Sequence, residues 1–274
     1  MDGRVLSIAG SDSGGGAGIQ ADIKTITALG GYAATVVTAL TAQNTLGVAE
    51  VSEVDPWFVE RQLEVVLEDI GADAIKTGML ANRTIVELVA RGLTRLARHV
   101  PLVVDPVMVS SSGHSLLDKP GREAIAKRLL PICAIVTPNS IEAGLLAGFD
   151  VNTEADMQRA ADQLLLQGAA AVLVKGGHLA SENVVDILRT ADGHMVRFES
   201  ERQATSATHG TGCTLSSAIA TYLAQGMTLE GAVGRGIDYV QKAMRWAVPI
   251  GNGAATPLDH GFSLRQRPPE EPVH

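Results

Sequence analysis

The chain has 274 residues, 46% hydrophobic but only 3% aromatic, and a formal charge of −8. That length allows one large domain or two small ones, and a core of Val, Leu, Ile and Ala suits a helix-covered parallel sheet. The charge argues against nucleic acid or an anionic membrane as partner. No apolar run is long enough to span a bilayer, and two cysteines far apart with no signal peptide point to a reducing cytoplasm.

The first strand is expected at 5–9. It runs into a glycine cluster, "SIAGSDSGGGAGIQAD" over 7–22, and then a helix at 18–29. Strand, glycines, helix is the order of a phosphate loop, yet neither common nucleotide loop fits. A Walker loop requires Lys and Ser or Thr after its second glycine, where Gly16 and Ala17 stand. A dinucleotide fingerprint placed on Gly16, Gly18 and Ala21 needs an acid about 20 residues later, and "VVTALTAQNTL" over 36–46 holds none. What remains is a loop that admits a ligand closely or a tight turn.

Further strands at 34–40, 74–77, 102–104, 134–137 and 171–174 alternate with helices at 56–68, 83–98, 121–130, 141–146 and 154–167, a pattern of parallel βαβ units. Segments 184–188 and 195–198 form a hairpin around Asp192-Gly193. A helix at 211–224 carries Leu215, Ala218, Ile219, Tyr222 and Leu223 on one face, and a helix at 229–246 follows. We expect an α/β fold, a mostly parallel doubly wound sheet with a small antiparallel hairpin, in one domain over 1–262. The tail at 263–274 has little to bury and is expected to be disordered.

Ligands bind open parallel sheets at the carboxyl ends of the strands. Those ends carry Gly10 and Asp12, then Gln43 and Asn44, then Lys76, Thr77, Gly78 and Met79, then Asp105, then Asn139 with Glu142, then Lys175 to His178. Each has a plain structural reading. Asn139 and Glu142 form a capping-box pattern, and the same i, i+3 spacing would let them steer magnesium and its waters. Asp105 before Pro106 is a turn former or a partner for magnesium-bound phosphate. Lys175, after an apolar strand, reads better as a point charge for phosphate than as a solvated lysine. His178 and His209 are as compatible with structure as with chemistry. The joint placement on one edge favours a site.

The stretch "THGTGCTLSSAIA", 208–220, sets Gly210, Thr211 and Gly212 before an amphipathic helix. Helix starts offer unpaired N–H groups and partial positive charge, and glycines let an anion approach them. Cys213 in that first turn is expected to have a lowered thiol pKa, against the alternative of a small buried apolar residue.

Seven motifs in order, "IAGSDSGGGAGIQADIKT", "TALTAQNT", "KTGML", "VVDPVM", "TPNSIEA", "VKGGH" and "THGTGC", resemble the hydroxymethylpyrimidine/phosphomethylpyrimidine kinases of thiamine biosynthesis. The resemblance covers 5–260 and implies a ribokinase-like α/β/α sandwich. It implies transfer from ATP to the hydroxymethyl group of 4-amino-5-hydroxymethyl-2-methylpyrimidine, then from a second ATP to that monophosphate. By this likeness Gln43 bonds the pyrimidine, Gly10, Ala17 and Met79 line its pocket and Asp22 lies close by. Asp105, Asn139 and Glu142 organise Mg2+ and phosphates, with metal held by Asp105 and Glu142 partly through water. Lys175 contacts phosphate, Gly210, Thr211 and Gly212 form an anion hole, and Cys213 assists deprotonation of the alcohol.

The resemblance leaves room for a monovalent cation and for a homodimer, neither of which the sequence decides. A pyridoxal kinase of the same superfamily and a non-catalytic pyrimidine-binding protein are the competing readings. One departure stands out: the family commonly closes with G-x-G-x-G-P and a nearby His, whereas this chain reads "GNGAATPLDH" over 251–260, which puts nucleotide contacts there in doubt. His114 replaces a frequent acid and receives no role.

Overall fold

The computed structural model describes residues 1–109, 116–179 and 182–265. His114 and the tail from 266 lie outside them. In chain order the elements are β1 (Arg4–Asp12), α1 (Gly18–Ala28), β2 (Tyr32–Asn44), β3 (Gly47–Glu53), α2 (Pro56–Asp69), β4 (Ala74–Thr77), α3 (Arg83–Leu96) and β5 (Leu102–Val104). They continue with α4 (Lys119–Ala124), β6 (Ile135–Val136), α5 (Ser140–Ala147), α6 (Glu154–Leu166), β7 (Ala171–Val174), β8 (Asn183–Thr190), β9 (Met195–Glu201), α7 (Thr211–Ala224) and α8 (Leu229–Arg245).

Nine strands form one sheet in the order β3-β2-β1-β4-β5-β6-β7-β8-β9. The six from β2 to β7 are parallel; β3 and β8 run antiparallel to them at either end, and β9 pairs antiparallel with β8. Helices cover both faces, giving the expected α/β/α sandwich. Strand alternation sorts the core. Leu6, Ile8, Ile75 and Val104 join the cluster containing α3 and α6 side chains. Val5, Ala74, Val103 and Ile135 join the cluster containing Ile26, Leu215, Ile219 and Val233.

Helix starts follow their caps. Asp55 accepts from Trp57 N–H with Pro56 in the first turn, Asn82 accepts from Ile85 N–H, and Thr153 with Asp156 forms a capping box. Each such cap satisfies a donor that the helix itself leaves unpaired.

Three differences from the sequence reading matter. First, β2 does not end near residue 40 but continues to Asn44 and returns as β3. From Leu40 to Asn44 its residues alternate between exposed and half-buried, and no residue of β3 is fully buried, so this flap carries little apolar signal. Second, the helix expected at 121–130 starts earlier, at Lys119, where Asp118 caps Gly121 N–H. It then widens into a π-turn at Ile125–Leu129 and closes as a 3-10 turn at Leu130–Ile132. Third, a further short turn lies beyond α8. Phe262–Leu264 forms a 3-10 turn, and Arg265 pairs with Asp259 at 3.0 Å.

Candidate active site

The start of α7 is where the chain comes together. Gly210 has φ +83°, and a Cβ there would lie 1.9 Å from Gly16 O and 3.3 Å from Ala17 Cα. Only glycine allows both that left-handed turn and that approach. The opening glycine loop therefore packs directly against the "HGTGC" loop, although about 200 residues separate them.

A Cβ on Gly212 would meet Lys175 Nζ at 3.1 Å and Asp105 Oδ2 at 3.6 Å. Lys175 Nζ lies 3.4 Å from Asp105 Oδ1, and Ser216 Oγ donates to Asp105 Oδ2 at 3.3 Å. Lysine, aspartate and the first turn of α7 thus form one polar cluster. Burial pulls the Lys175 pKa down, but Asp105 and Glu142 outweigh it and raise it, so the ammonium persists.

Asn139 and Glu142 form the capping box in full. Glu142 N–H donates to Asn139 Oδ1 at 2.9 Å, and Asn139 N–H donates to Glu142 Oε2 at 2.8 Å. The structural reading of this pair is thus realised, and it holds Glu142 beside the Lys175–Asp105 cluster. Burial pushes the Glu142 carboxyl up to about 7, with Lys175 opposing and Asp105 reinforcing.

Among the described residues no three His, Cys, Asp or Glu side chains converge as a ready-made metal cage. Two carboxylates, one already bonded to lysine, suit a Mg2+ that keeps several waters and takes its remaining ligands from phosphates.

Beside the opening loop, a Cβ on Gly10 would touch Met79 Sδ at 3.3 Å, and Thr38 Oγ1 donates to Met79 O at 2.6 Å. Gln43, half-buried on the flap, is tied to the opening loop. Its N–H donates to Ser13 Oγ at 2.9 Å, Ser13 Oγ donates to its carbonyl at 2.8 Å, and Thr41 Oγ1 donates to its Oε1 at 3.3 Å.

The resemblance sets Asp22 close to the substrate. In the structure Asp22 is fully buried, accepting from Lys76 Nζ at 2.9 Å, Ser7 Oγ at 2.6 Å and Ser217 Oγ at 2.7 Å, so its oxygens are taken by protein donors. Lys76, read as an edge residue, is spent on the same network.

One expectation is corrected, that for Cys213. Its thiol is pushed up to about 11, not down: burial is the main cause, Lys76 opposes it, Asp22 and Asp105 reinforce it, and the Gly18 N–H opposes it. The helix start supplies a local positive potential, but burial and two carboxylates outweigh it.

The segment at 251–260 bridges two distant parts of the chain. Gly253 N–H donates to Thr45 Oγ1 at 3.1 Å, and a Cβ on Gly253 would lie 1.7 Å from Thr45 O. Thr256 N–H donates to Ser206 O at 2.7 Å and its carbonyl accepts from His209 N–H at 3.2 Å, while His260 Nε2 lies 2.9 Å from Thr214 Oγ1. This strap runs from the β2–β3 turn at Thr45 to the start of α7.

Residues 12–259 match the model of the phosphomethylpyrimidine kinase family. The chain belongs to that family. It is 46% identical over 258 residues to the hydroxymethylpyrimidine/phosphomethylpyrimidine kinase of Rhizobium meliloti, covering 93% of this chain and 96% of that one. It is 49% identical over 259 residues, 94% of its length, to the thiamine biosynthesis bifunctional protein ThiED of Geobacter sulfurreducens, of which it spans 52%. Among solved structures it resembles the pyridoxal kinase of Staphylococcus aureus in complex with AMP-PCP and pyridoxal. That match has a TM-score of 0.88 and 34% identity, and covers 97% of this chain and 96% of that chain.

Ser216 and Ser217 are not among the residues the sequence points to, and Asp12, Lys76 and His209 appear there without a role, yet all five bond within the polar cluster or its supports. Two signals were available. A lysine inside a wholly buried strand requires a buried anion, and Asp22 is the one acid on α1. An aspartate two residues before a glycine run is a side chain placed to collect backbone N–H groups.

Proposed function

We infer that this member of the phosphomethylpyrimidine kinase family uses ATP to phosphorylate the hydroxymethyl group of 4-amino-5-hydroxymethyl-2-methylpyrimidine. It then uses a second ATP to extend the monophosphate to the pyrophosphate, as thiamine biosynthesis requires. The observation that carries the phosphoryl-transfer assignment is the meeting of Gly212 with Lys175 and Asp105 at the start of α7.

Phosphoryl transfer depends on positioning and charge neutralisation. Gly210, Thr211 and Gly212 are assigned to hold the transferring phosphoryl group with the unpaired amides of the first turn. Lys175 neutralises its developing charge. Asp105 and Glu142 are the residues that would hold Mg2+, directly or through water, and the ion would neutralise phosphate charge. Asn139 fixes Glu142 through the capping box.

In the first step the acceptor oxygen bonds to the γ-phosphorus as its bond to the β–γ bridging oxygen breaks, and the hydroxyl proton passes to the Cys213 thiolate. In the second step the nucleophile is already an anionic phosphate and needs no such base. Gln43, Gly10, Ala17 and Met79 are assigned to the pyrimidine. The amide of Gln43 offers both a donor and an acceptor, as a ring bearing both demands.

Pyridoxal is the second reading, supported by the likeness to the S. aureus enzyme. The pyrimidine is preferred because relatives named for it are 46% identical against 34%. ADP release with the pyrimidine alcohol, its monophosphate and pyridoxal, offered in turn, tests the choice. Turnover of both pyrimidines above pyridoxal is expected; no turnover of either would overturn the assignment.

A further inference from the structure

Two side chains where the loops meet have no part in the chemistry above. Asp12, the last residue of β1, is buried and collects the opening loop: its Oδ1 accepts from Gly14 N–H at 2.8 Å, and its Oδ2 accepts from Gly16 N–H at 3.1 Å and Ala17 N–H at 2.8 Å. The same Oδ2 lies 3.0 Å from His209 Nε2, across 197 residues of sequence. With a carboxylate as its partner, Nε2 is the nitrogen that carries the proton.

His209 immediately precedes Gly210, and its own N–H is held by Thr256 O. A Cβ on Gly16 would lie 2.3 Å from His209 Cδ2. One carboxylate–imidazole bond therefore joins the acceptor-side loop to the loop that begins α7, at a point where the two backbones touch. Burial pushes the Asp12 carboxyl up, but His209 and the loop amides outweigh it and hold it below the usual range, so the carboxylate form persists.

We propose that Asp12 and His209 are a positioning pair that locks the amides of residues 210–212 onto the acceptor-side loop at 14–17. This rests on the assignment of 210–212 as the phosphate-holding loop. Hydrogen-bond donors stabilise developing charge only when they are already in place, and an approximately 1 Å misplacement costs about 100-fold in rate. Both transfers use the same amides, so loss of the lock slows both steps alike. Neither side chain is assigned to the substrate, so KM is expected to be largely spared.

The test is steady-state kinetics of each step separately. His209→Ala is expected to lower kcat about 100-fold on both steps with KM for the pyrimidine changed by less than about threefold. His209→Gln, whose amide donates from near the Nε2 position, is expected to recover at least about tenfold of that loss. Asp12→Asn should cost about tenfold or more on both steps, since it also loosens the loop amides, and the double variant Asp12→Asn/His209→Ala should lose clearly less than the product of the two single losses, because the shared bond is lost once.

The proposal is overturned if His209→Ala keeps kcat within about threefold of the parent while its Tm falls, if His209→Gln recovers nothing, or if the two losses multiply. Should His209→Ala not accumulate as folded protein, Asp12→Asn with unchanged rates on both steps overturns it. Gly212→Ala separates the two levels of the argument. If that variant is fully active, the phosphate-loop assignment fails. If it is slow while His209→Ala is not, only the lock fails.

Discussion

Lys76 Nζ lies 2.9 Å from both carboxylate oxygens of Asp22, and neither side chain has any exposure. Ser217 Oγ donates to the same carboxylate, and Ser217 lies one helical turn after Cys213 on α7. A buried ion pair thus underlies the thiol. Burial pulls the Lys76 pKa down, but Asp22, Cys213 and Asp105 outweigh it and raise it, so the lysine stays charged.

Removing one partner strands the other charge in the core, at a cost of about 3–5 kcal/mol. Lys76→Met should therefore unfold at markedly lower urea concentration than the parent. Lys76→Met/Asp22→Asn should recover much of that loss, since no lone charge remains. The same variants order the Cys213 thiol pKa, read from the pH dependence of iodoacetamide alkylation: Lys76→Met above the parent, Asp22→Asn below it, the double variant between them. A thiol titration indifferent to all three would show that the pair acts on stability alone.

For Cys213 the direction of the shift decides the kinetics. With the thiol pushed up to about 11, the thiolate is a minor species near neutrality and its fraction rises about tenfold per pH unit. The first phosphorylation should therefore accelerate from pH 7 to 9.5, whereas the second should stay nearly flat once the phosphate acceptor is ionised. Cys213→Ala should lose about 10²- to 10⁴-fold in the first step and far less in the second. Equal losses in both steps, or a first step without that rise, would remove the base assignment.

The parts legible in the sequence are those set by local pattern. The strands Ala74–Thr77, Leu102–Val104 and Ala171–Val174 and the helix Thr211–Ala224 have the bounds expected from apolar periodicity and turn residues. The strand-end rule drew attention to Asp105, Asn139, Glu142 and Lys175. The illegible parts depend on which distant element arrives opposite. Lys76 looks like an edge residue until Asp22 is packed over it. Cys213 looks activated by its helix until burial and the carboxylates of Asp22 and Asp105 are counted. The bond from Gly253 to Thr45 crosses 208 residues, and no spacing in the sequence announces it.

Glu142 gives a prediction in stability. Its carboxyl titrates near 7 in the folded chain against an ordinary 4.5. Between those values the folded state keeps a proton that the unfolded state releases. Stability contributed by this group is present below the unfolded value and lost as pH rises through the folded one, at up to about 1.4 kcal/mol per pH unit. Glu142→Gln removes that slope, so the difference in Tm between Glu142→Gln and the parent should grow in favour of the variant from pH 4.5 to 7. A constant difference over that window would mean that Glu142 is already ionised at its lower end. Adding Mg2+ and a nucleotide analogue should narrow the difference, because bound cation favours the carboxylate.

Gln43 lies at the irregular step in the pairing of β2 with β3, where the register shifts between Ala42 and Gln43. Its backbone is pinned on both sides by Ser13, and its Oε1 accepts from Thr41, which leaves the Nε2 hydrogens as its free donors. Gln43→Ala should raise KM for the pyrimidine about fivefold, the worth of one neutral hydrogen bond near 1 kcal/mol, with KM for ATP unchanged. Gln43→Glu keeps the shape, replaces the donors with a charged acceptor and should bind the pyrimidine no better than Gln43→Ala. If both variants instead lower Tm and leave KM alone, Gln43 serves the flap and not the ring. If the glutamate variant binds as well as the parent, the donor is not what the pyrimidine uses.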